Sequence, residues 1–157
     1  MESFIQILTG ALGSFGFSIL FNLRGRKLLI TTLGGLISWA VFLLLEQWLP
    51  GEAVRYFLSM TAISVYAEIF ARVEKTPTTT FLVPCVIPLI PGSALYYTMN
   101  YALNEQWDLF MKKAFYTLEL ALALALGIIA VTTAARLVTL LIRYGKKQAC
   151  RHFHHSI

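Results

Sequence analysis

Three prolines and a glycine interrupt an apolar stretch of this chain, in the order Pro84, Pro88, Pro91 and Gly92. A proline inside a helix removes one backbone hydrogen bond and clashes with the preceding turn, so this stretch cannot continue as a regular helix. In hydrocarbon, an unpaired backbone group costs several kcal/mol. A broken membrane segment therefore has to be buried in protein or to line a wet cavity, and transporters bind their substrates at such breaks.

The composition places the chain in a membrane. Of its 157 residues 57% are apolar and 13% are charged, and the mean hydropathy is +0.68, which exceeds the ordinary range of soluble domains. Several apolar stretches are longer than the about 20 residues that cross a bilayer. Cys85 and Cys150 are far apart and no metal-type spacing is present, so we expect no metal and no cofactor. The sequence predicts an all-α polytopic membrane protein.

We expect five transmembrane helices, the fourth broken by Pro84, Pro88 and Pro91-Gly92. Their approximate limits are 4–23, 28–49, 54–73, 77–103 and 110–142. Residues 1–145 then form a single five-span domain, and residues 146–157 form a basic cytoplasmic tail that we predict to be disordered. Gly10, Gly13 and Gly16 make a smooth stripe on the first helix, which is typical of close helix packing.

The distribution of Lys and Arg predicts the orientation, because cytoplasmic loops carry the excess. Ten basic residues fall on one side, namely Arg24, Arg26, Lys27, Arg72, Lys75, Arg136, Arg143, Lys146, Lys147 and Arg151. Arg55, Lys112 and Lys113 fall on the other. We therefore expect a multi-pass protein of the cell inner (plasma) membrane, with its N-terminus outside and its C-terminus in the cytoplasm. These basic residues flank spans, so they indicate topology and no nucleic-acid partner.

The broken segment is the main candidate site. Pro91 and Gly92 would end one half-helix and let a second begin, with Ser93 as its N-cap. The free amides and the positive dipole end of such a half-helix favour a carboxylate. The predicted substrate pathway consists of Thr78, Thr79, Pro84, Pro88, Pro91, Gly92, Ser93 and Tyr97. The alternative is a kinked helix that only packs against its neighbours.

Glu68, Arg72 and Glu119 are ionisable residues inside predicted spans, and such residues indicate function by default. Glu68 and Arg72 lie four residues apart, which favours an ion pair on one helix face. They are candidates for proton coupling, or for a structural pair near the cytoplasmic boundary. Glu119 has no basic partner within a turn, and its alternative role is a hydrogen-bonded residue that faces the bundle. Because no phosphate-binding glycine loop is present, we expect a proton gradient to supply the energy.

Several short segments resemble one known family. They are Phe-Asn-Leu-Arg-Gly at 21–25, Tyr-Ala-Glu-Ile-Phe-Ala-Arg at 66–72, Thr-Pro-Thr-Thr-Thr-Phe at 76–81, Ile-Pro-Leu-Ile-Pro-Gly at 87–92 and Tyr-Tyr-Thr-Met at 96–99. Together they resemble the threonine/serine exporter family, and the chain is similar to its small subunit, which corresponds to the C-terminal half. The resemblance implies a transporter with two halves, fused in some members and split in others. It also implies export of small amino acids or, in some split pairs, of dicarboxylates such as succinate.

The predicted function is that of a secondary-transporter subunit that exports threonine and serine or small dicarboxylates. We expect it to be proton-coupled and to work with a larger membrane subunit, while self-association stays open. The alternative is a non-transporting scaffold that stabilises its partner. An enzyme is not expected, because Ser93 has no His or Lys inside the spans to activate it.

Overall fold

The computed structural model describes the backbone of residues 2–154 and the side chains of residues 3–141. Six α-helices follow one another over residues 2–154: α1 (Glu2–Leu20), α2 (Arg26–Glu46), α3 (Glu52–Val73), α4 (Thr79–Val86), α5 (Gly92–Leu103) and α6 (Trp107–His154). A single 3₁₀ turn, Ile87–Leu89, follows α4. Over residues 2–154 the backbone forms no strand, so the all-α class is confirmed.

Among the described residues, three stretches are long and apolar enough to cross a membrane, namely Ser3–Leu20, Arg26–Glu46 and Trp107–Leu141. A fourth is added if α4 and α5 count as one bent span. α3 is 22 residues long but carries Glu52, Arg55, Glu68 and Arg72, and it is not among these candidates. The polytopic membrane class is therefore confirmed, whereas the five crossings stay a prediction.

The fourth segment is broken as predicted, but only some of the predicted residues lie at the break. The axes of 79–89 and 92–103 meet at 63°. Pro88 lies in the 3₁₀ turn, and Pro91 precedes the first residue of α5 with φ −75° and ψ 66°. Pro84, in contrast, lies inside α4, which continues to Val86, so its assignment to the break was wrong. One missing N–H in so short a helix is tolerated here, since the buried ring packs in the core.

The core lies among α2, α3, α4, the 3₁₀ turn and α6, where Met60, Ile63, Phe81 and Leu89 are fully buried. α6 packs along α3, and α5 packs on the first turns of α6. The hydroxyl oxygens of Thr98 and Thr117 lie 3.0 Å apart and join these two helices.

Glycines permit the closest helix contacts, although not the ones that the sequence indicated. A Cβ atom at Gly34 would overlap the Cys85 sulfur, and one at Gly127 would lie 2.9 Å from the Cβ of Met60. Gly13 and Gly16 face open space instead. Of the predicted stripe only Gly10 has a close neighbour, because Pro88 and Trp39 pack on it.

The last helix is longer than the sequence indicated. We expected it to end near Ile142, and its backbone continues to His154. The division into a domain, 1–145, and a tail, 146–157, stays a prediction, and residues 155–157 lie outside the described residues.

Candidate functional site

The start of α5 carries backbone donors at the break. The amide of Gly92 donates to the carbonyl of Ile90 at 2.7 Å, and the amide of Leu95 donates to the carbonyl of Pro91 at 3.1 Å. Within the described backbone, the amides of Ser93 and Ala94 have no backbone acceptor. Orphan donors of this kind carry the positive end of a helix dipole. A half-helix therefore starts at the break with free amides, and its preference for an anion stays a prediction.

Ser93 does not cap this helix. α5 begins at Gly92, Pro91 takes the N-cap position, and no side chain bonds to the free amides there. The prediction of Ser93 as the N-cap was therefore wrong. Ser93 is exposed together with Gly92 and Tyr97, whereas Ala94 is only 2% exposed. The first turn of α5 thus presents most of its polar groups on the outside of this chain.

A cavity of about 260 Å³ lies beside the break, between α1, α2 and the 3₁₀ turn. Its lining consists of Gln6, Thr9, Gly10, Gly13, Trp39, Ile87 and Pro88. The indole N–H of Trp39 is buried and finds no acceptor among the described residues. Sequence reasoning found Pro88 but missed Gln6, Thr9 and Trp39, because no local pattern shows that α1 and α2 meet the break here.

A second cavity, of about 290 Å³, lies nearer the start of α4. It is lined by Phe21, Leu23, Thr79, Thr80, Val83 and Pro84. Thr79 and Pro84 are therefore separated from Pro88, and Thr78 points to neither cavity but to Glu68. The predicted pathway residues do not converge on one cavity within this chain.

Glu68 is the centre of a polar network at the end of α3. Its Oε1 accepts hydrogen bonds from Nε and Nη2 of Arg72, at 3.2 and 3.0 Å. Its Oε2 accepts a hydrogen bond from the hydroxyl of Thr78 at 2.7 Å. Nη2 of Arg72 also donates to the carbonyl of Ala135 at 3.4 Å and to the hydroxyl of Thr139 at 3.2 Å. The network therefore joins α3, the residue before α4, and α6.

Two cavities flank this network. The larger, of about 520 Å³, is mainly apolar and is lined by Thr61, Val65, Glu68, Ile69, Arg72, Ala130, Val131, Ala134, Ala135 and Val138. The smaller, of about 300 Å³, is lined by Glu68, Ala135, Arg136, Thr139 and Leu140. Glu68 and Ala135 line both of them, so the network lies next to both cavities.

Glu119 lies apart from this network. Its side chain is exposed on α6, and it makes no ion pair or side-chain hydrogen bond with the described residues. The alternative prediction, in which Glu119 faces the bundle, is therefore not observed within this chain.

The opposite end of the bundle carries a second set of polar contacts. Arg55 forms an ion pair with Glu46 at 3.0 Å, and the hydroxyl of Tyr116 donates to Oε2 of Glu52. The ammonium of Lys113 lies 4.4 Å from the centre of the Tyr116 ring and 6.0 Å from that of the Tyr97 ring. Tyr97, which the sequence placed on the pathway, is thus next to a cation at this end. Sequence reasoning missed this cluster because its members come from four helices.

Hydrophobic helices surround an unwound segment that has a small cavity beside it, and a carboxylate with an arginine partner lies at the edge of the bundle. These are features of a membrane transporter. The family model described as Threonine/Serine exporter, ThrE matches residues 6–134, and the chain belongs to this family. Its members are exporters, so the chain is of a transporter type and the family does not point to an enzyme. No curated protein and no solved structure showed significant similarity to this chain.

Proposed function

We propose that this chain is one subunit of a secondary transporter that exports small amino acids such as threonine and serine, or small dicarboxylates. A larger membrane subunit completes the transporter, and the proton gradient drives it. The exporter family supports the class of activity. The observation that carries the proposal is the break between Leu89 and Gly92, where a half-helix starts with free amides.

In this proposal the carboxylate of the solute lies at the start of α5. The amides of Ser93 and Ala94 have no backbone acceptor within the described residues, and a helix N-terminus stabilises an anion through its free donors and its dipole. The hydroxyl of Tyr97 lies one turn further along the exposed side of α5. The exposure of Gly92 and Ser93 leaves this position accessible from outside the chain.

The same exposure supports a partner subunit. Ser93, Tyr97 and Glu119 are polar groups on the outer surface of segments that we propose to be in the membrane. A carboxylate or an unpaired amide that faces acyl tails is costly, so a second protein surface is expected to cover them. Five crossings, with the N-terminus outside and the C-terminus in the cytoplasm, fit a chain that forms one half of such a transporter.

Glu68 is the proposed proton carrier. It is a carboxylate in a predicted span, it borders two cavities, and its hydrogen bonds reach α4 and α6 through Thr78 and Arg72. A change in its protonation would alter the contacts of both helices. This link to α4, the half-helix that ends at the break, supports a coupling of proton movement to the site.

A scaffold without transport activity of its own is the second candidate. One observation favours it: the predicted pathway residues are divided between separate cavities and the outer surface of α5. In that case the exposed faces of α5 and α6 serve only to hold and orient the partner.

Reconstitution of the two subunits separates these candidates. Four kinds of vesicle are prepared, with both subunits, with either subunit alone, or without protein. Each is loaded with labelled threonine, serine or succinate, and efflux is followed with and without an imposed pH gradient. We expect gradient-dependent efflux only from vesicles with both subunits. Equal efflux from the larger subunit alone would support the scaffold and contradict the proposal.

A further inference from the structure

The cavity of about 300 Å³ beside Glu68 contains two charges of opposite sign in different situations. Oε1 of Glu68 lies 3.0 Å from Nη2 of Arg72, whereas its Oε2 accepts no hydrogen bond from Arg72. Arg136 is exposed and has no carboxylate partner and no side-chain hydrogen bond among the described residues. Among the described residues, the lining of the cavity therefore combines one cation without a carboxylate partner, one carboxylate shared with Arg72, and Thr139.

We propose that this cavity binds the zwitterionic head of a free amino acid, with its carboxylate on Arg136 and its ammonium on Glu68. This inference rests on the proposed export function, and it names the solute class and the position at which the solute is first bound. The cavity lies at the end of the bundle that we propose to be cytoplasmic, which is the side from which an exporter takes up its solute.

The chemistry of the two residues suits the two ends of an amino acid. The guanidinium of Arg136 is planar and binds a carboxylate through two parallel hydrogen bonds. Glu68 keeps acceptor capacity, because each carboxylate oxygen has two lone pairs, Thr78 is the only described donor to Oε2, and the side chain is 22% exposed. An ammonium can therefore bind there without displacing Arg72.

The size of the cavity restricts the solute. Ligand pockets span about 300–1,000 Å³, so this one lies at the lower limit of that range and suits a solute of few heavy atoms. The methylene and methyl groups of Ala135 and Leu140 line the rest of it and offer contact to a short aliphatic side chain.

The charges also decide between the two solute classes of the proposed function. A dicarboxylate would place its second carboxylate near Glu68, and like charges at close range are repulsive. The only unpaired cation that lines the cavity among the described residues is Arg136, so the second carboxylate would have no partner. An amino acid has one negative and one positive group and meets one partner for each. The arrangement therefore selects amino acids over dicarboxylates.

The test is equilibrium binding to the purified full chain in lipid nanodiscs, measured by saturation-transfer difference NMR. The probes are L-threonine, threoninol, which lacks the carboxylate, N-acetyl-L-threonine, which lacks the ammonium, and succinate. We expect L-threonine to bind at least about tenfold more tightly than each of the other three, as loss of one charge-assisted contact implies.

Three variants assign the contacts. Arg136→Gln is expected to weaken L-threonine binding by about tenfold or more and to leave threoninol binding unchanged. Glu68→Gln is expected to weaken L-threonine and threoninol and to leave N-acetyl-L-threonine unchanged. Arg24→Gln removes an exposed arginine that lines none of these cavities and is the matched control, with no expected effect. Since Arg136 makes no described internal bond, its variant is expected to fold even if Glu68→Gln does not.

Three results would overturn the inference: no L-threonine binding to the wild-type chain, unchanged L-threonine binding to Arg136→Gln, or succinate binding as tight as that of L-threonine. The efflux assay with both subunits tests the proposed function separately. Efflux together with any of these results rejects this cavity as the amino-acid site and leaves the export function in place. Absence of efflux rejects the export function itself.

Discussion

The hydroxyl of Thr78 donates a hydrogen bond to Oε2 of Glu68 at 2.7 Å, which connects the residue before α4 to the last turns of α3. The other oxygen of the same carboxylate binds Arg72, and Arg72 in turn binds Thr139 of α6. One carboxylate therefore holds three helices at one end of the bundle. α4 leads from this contact to the break before α5, so the charge on Glu68 is physically connected to the site.

Glu68→Gln is expected to abolish pH-gradient-driven efflux from vesicles that contain both subunits, and to leave membrane insertion intact. Glutamine has the shape of glutamate but carries no titratable proton, so the proton coupling is removed together with the ammonium contact inferred above. Efflux down a solute gradient, without a pH gradient, measures the remaining transport in the same vesicles. Unchanged pH-driven efflux would exclude Glu68 from the coupling mechanism.

The matched control is Thr78→Val, which removes the hydroxyl donor and keeps the carboxylate. It is expected to lower stability by about 1 kcal/mol, the usual net value of one hydrogen bond, and to reduce pH-driven efflux without abolishing it, because the proton carrier stays and only its bond to the residue before α4 is lost. If Thr78→Val lost efflux as completely as Glu68→Gln, the carboxylate would be a structural connection between α3 and α4 and not a proton carrier.

Gly127→Ala is expected to destabilise the chain by about 1–3 kcal/mol, because α3 and α6 touch at this glycine and overpacking costs about that much. The new Cβ would lie 2.9 Å from the Cβ of Met60 and 3.0 Å from the carbonyl oxygen of Phe57, and a backbone oxygen cannot swing away. Gly13→Ala is the control. Nothing lies within 4 Å of its new Cβ, so it is expected to be neutral or to stabilise α1 by up to about 1 kcal/mol. The free energy of unfolding of each variant is measured by SDS titration. Equal values for Gly127→Ala and Gly13→Ala would contradict the close α3–α6 contact.

The features that local rules determine could be predicted from the sequence. The break follows from the missing amides of Pro88 and Pro91, and the ion pair of Glu68 with Arg72 follows from their spacing of one helical turn. Pro84 shows where such a rule fails. The effect of a proline depends on how much helix it interrupts, and α4 continues past Pro84 to end at Val86, just before the turn that contains Pro88.

The contacts between distant helices could not be predicted in this way. Thr139 lies 67 residues from Arg72, and Trp39 reaches the break from a helix that ends at Glu46, 43 residues before Leu89. No period or motif in the sequence indicates which faces of α2 and α6 meet these groups. The cavities at Glu68 and at Pro88 depend on that choice of faces, and therefore only the structure reveals them.

Ser93→Cys distinguishes a transport pathway from a scaffold in the assembled transporter. In a chain that also carries Cys150→Ser, the new thiol lies at the exposed start of α5. If this start lines a wet route, a small hydrophilic methanethiosulfonate should label it with both subunits present, and transported solute should slow the labelling severalfold.

Cys85 is an internal control. It is fully buried with its sulfur 3.5 Å from the carbonyl oxygen of Thr31, so it should react only after unfolding. Mass spectrometry of the labelled peptides measures both sites. The Ser93→Cys thiol could instead be labelled in the chain alone and be inert in the complex, whether or not solute is present. The partner would then cover α5 as a dry interface, and the scaffold role would be the better description.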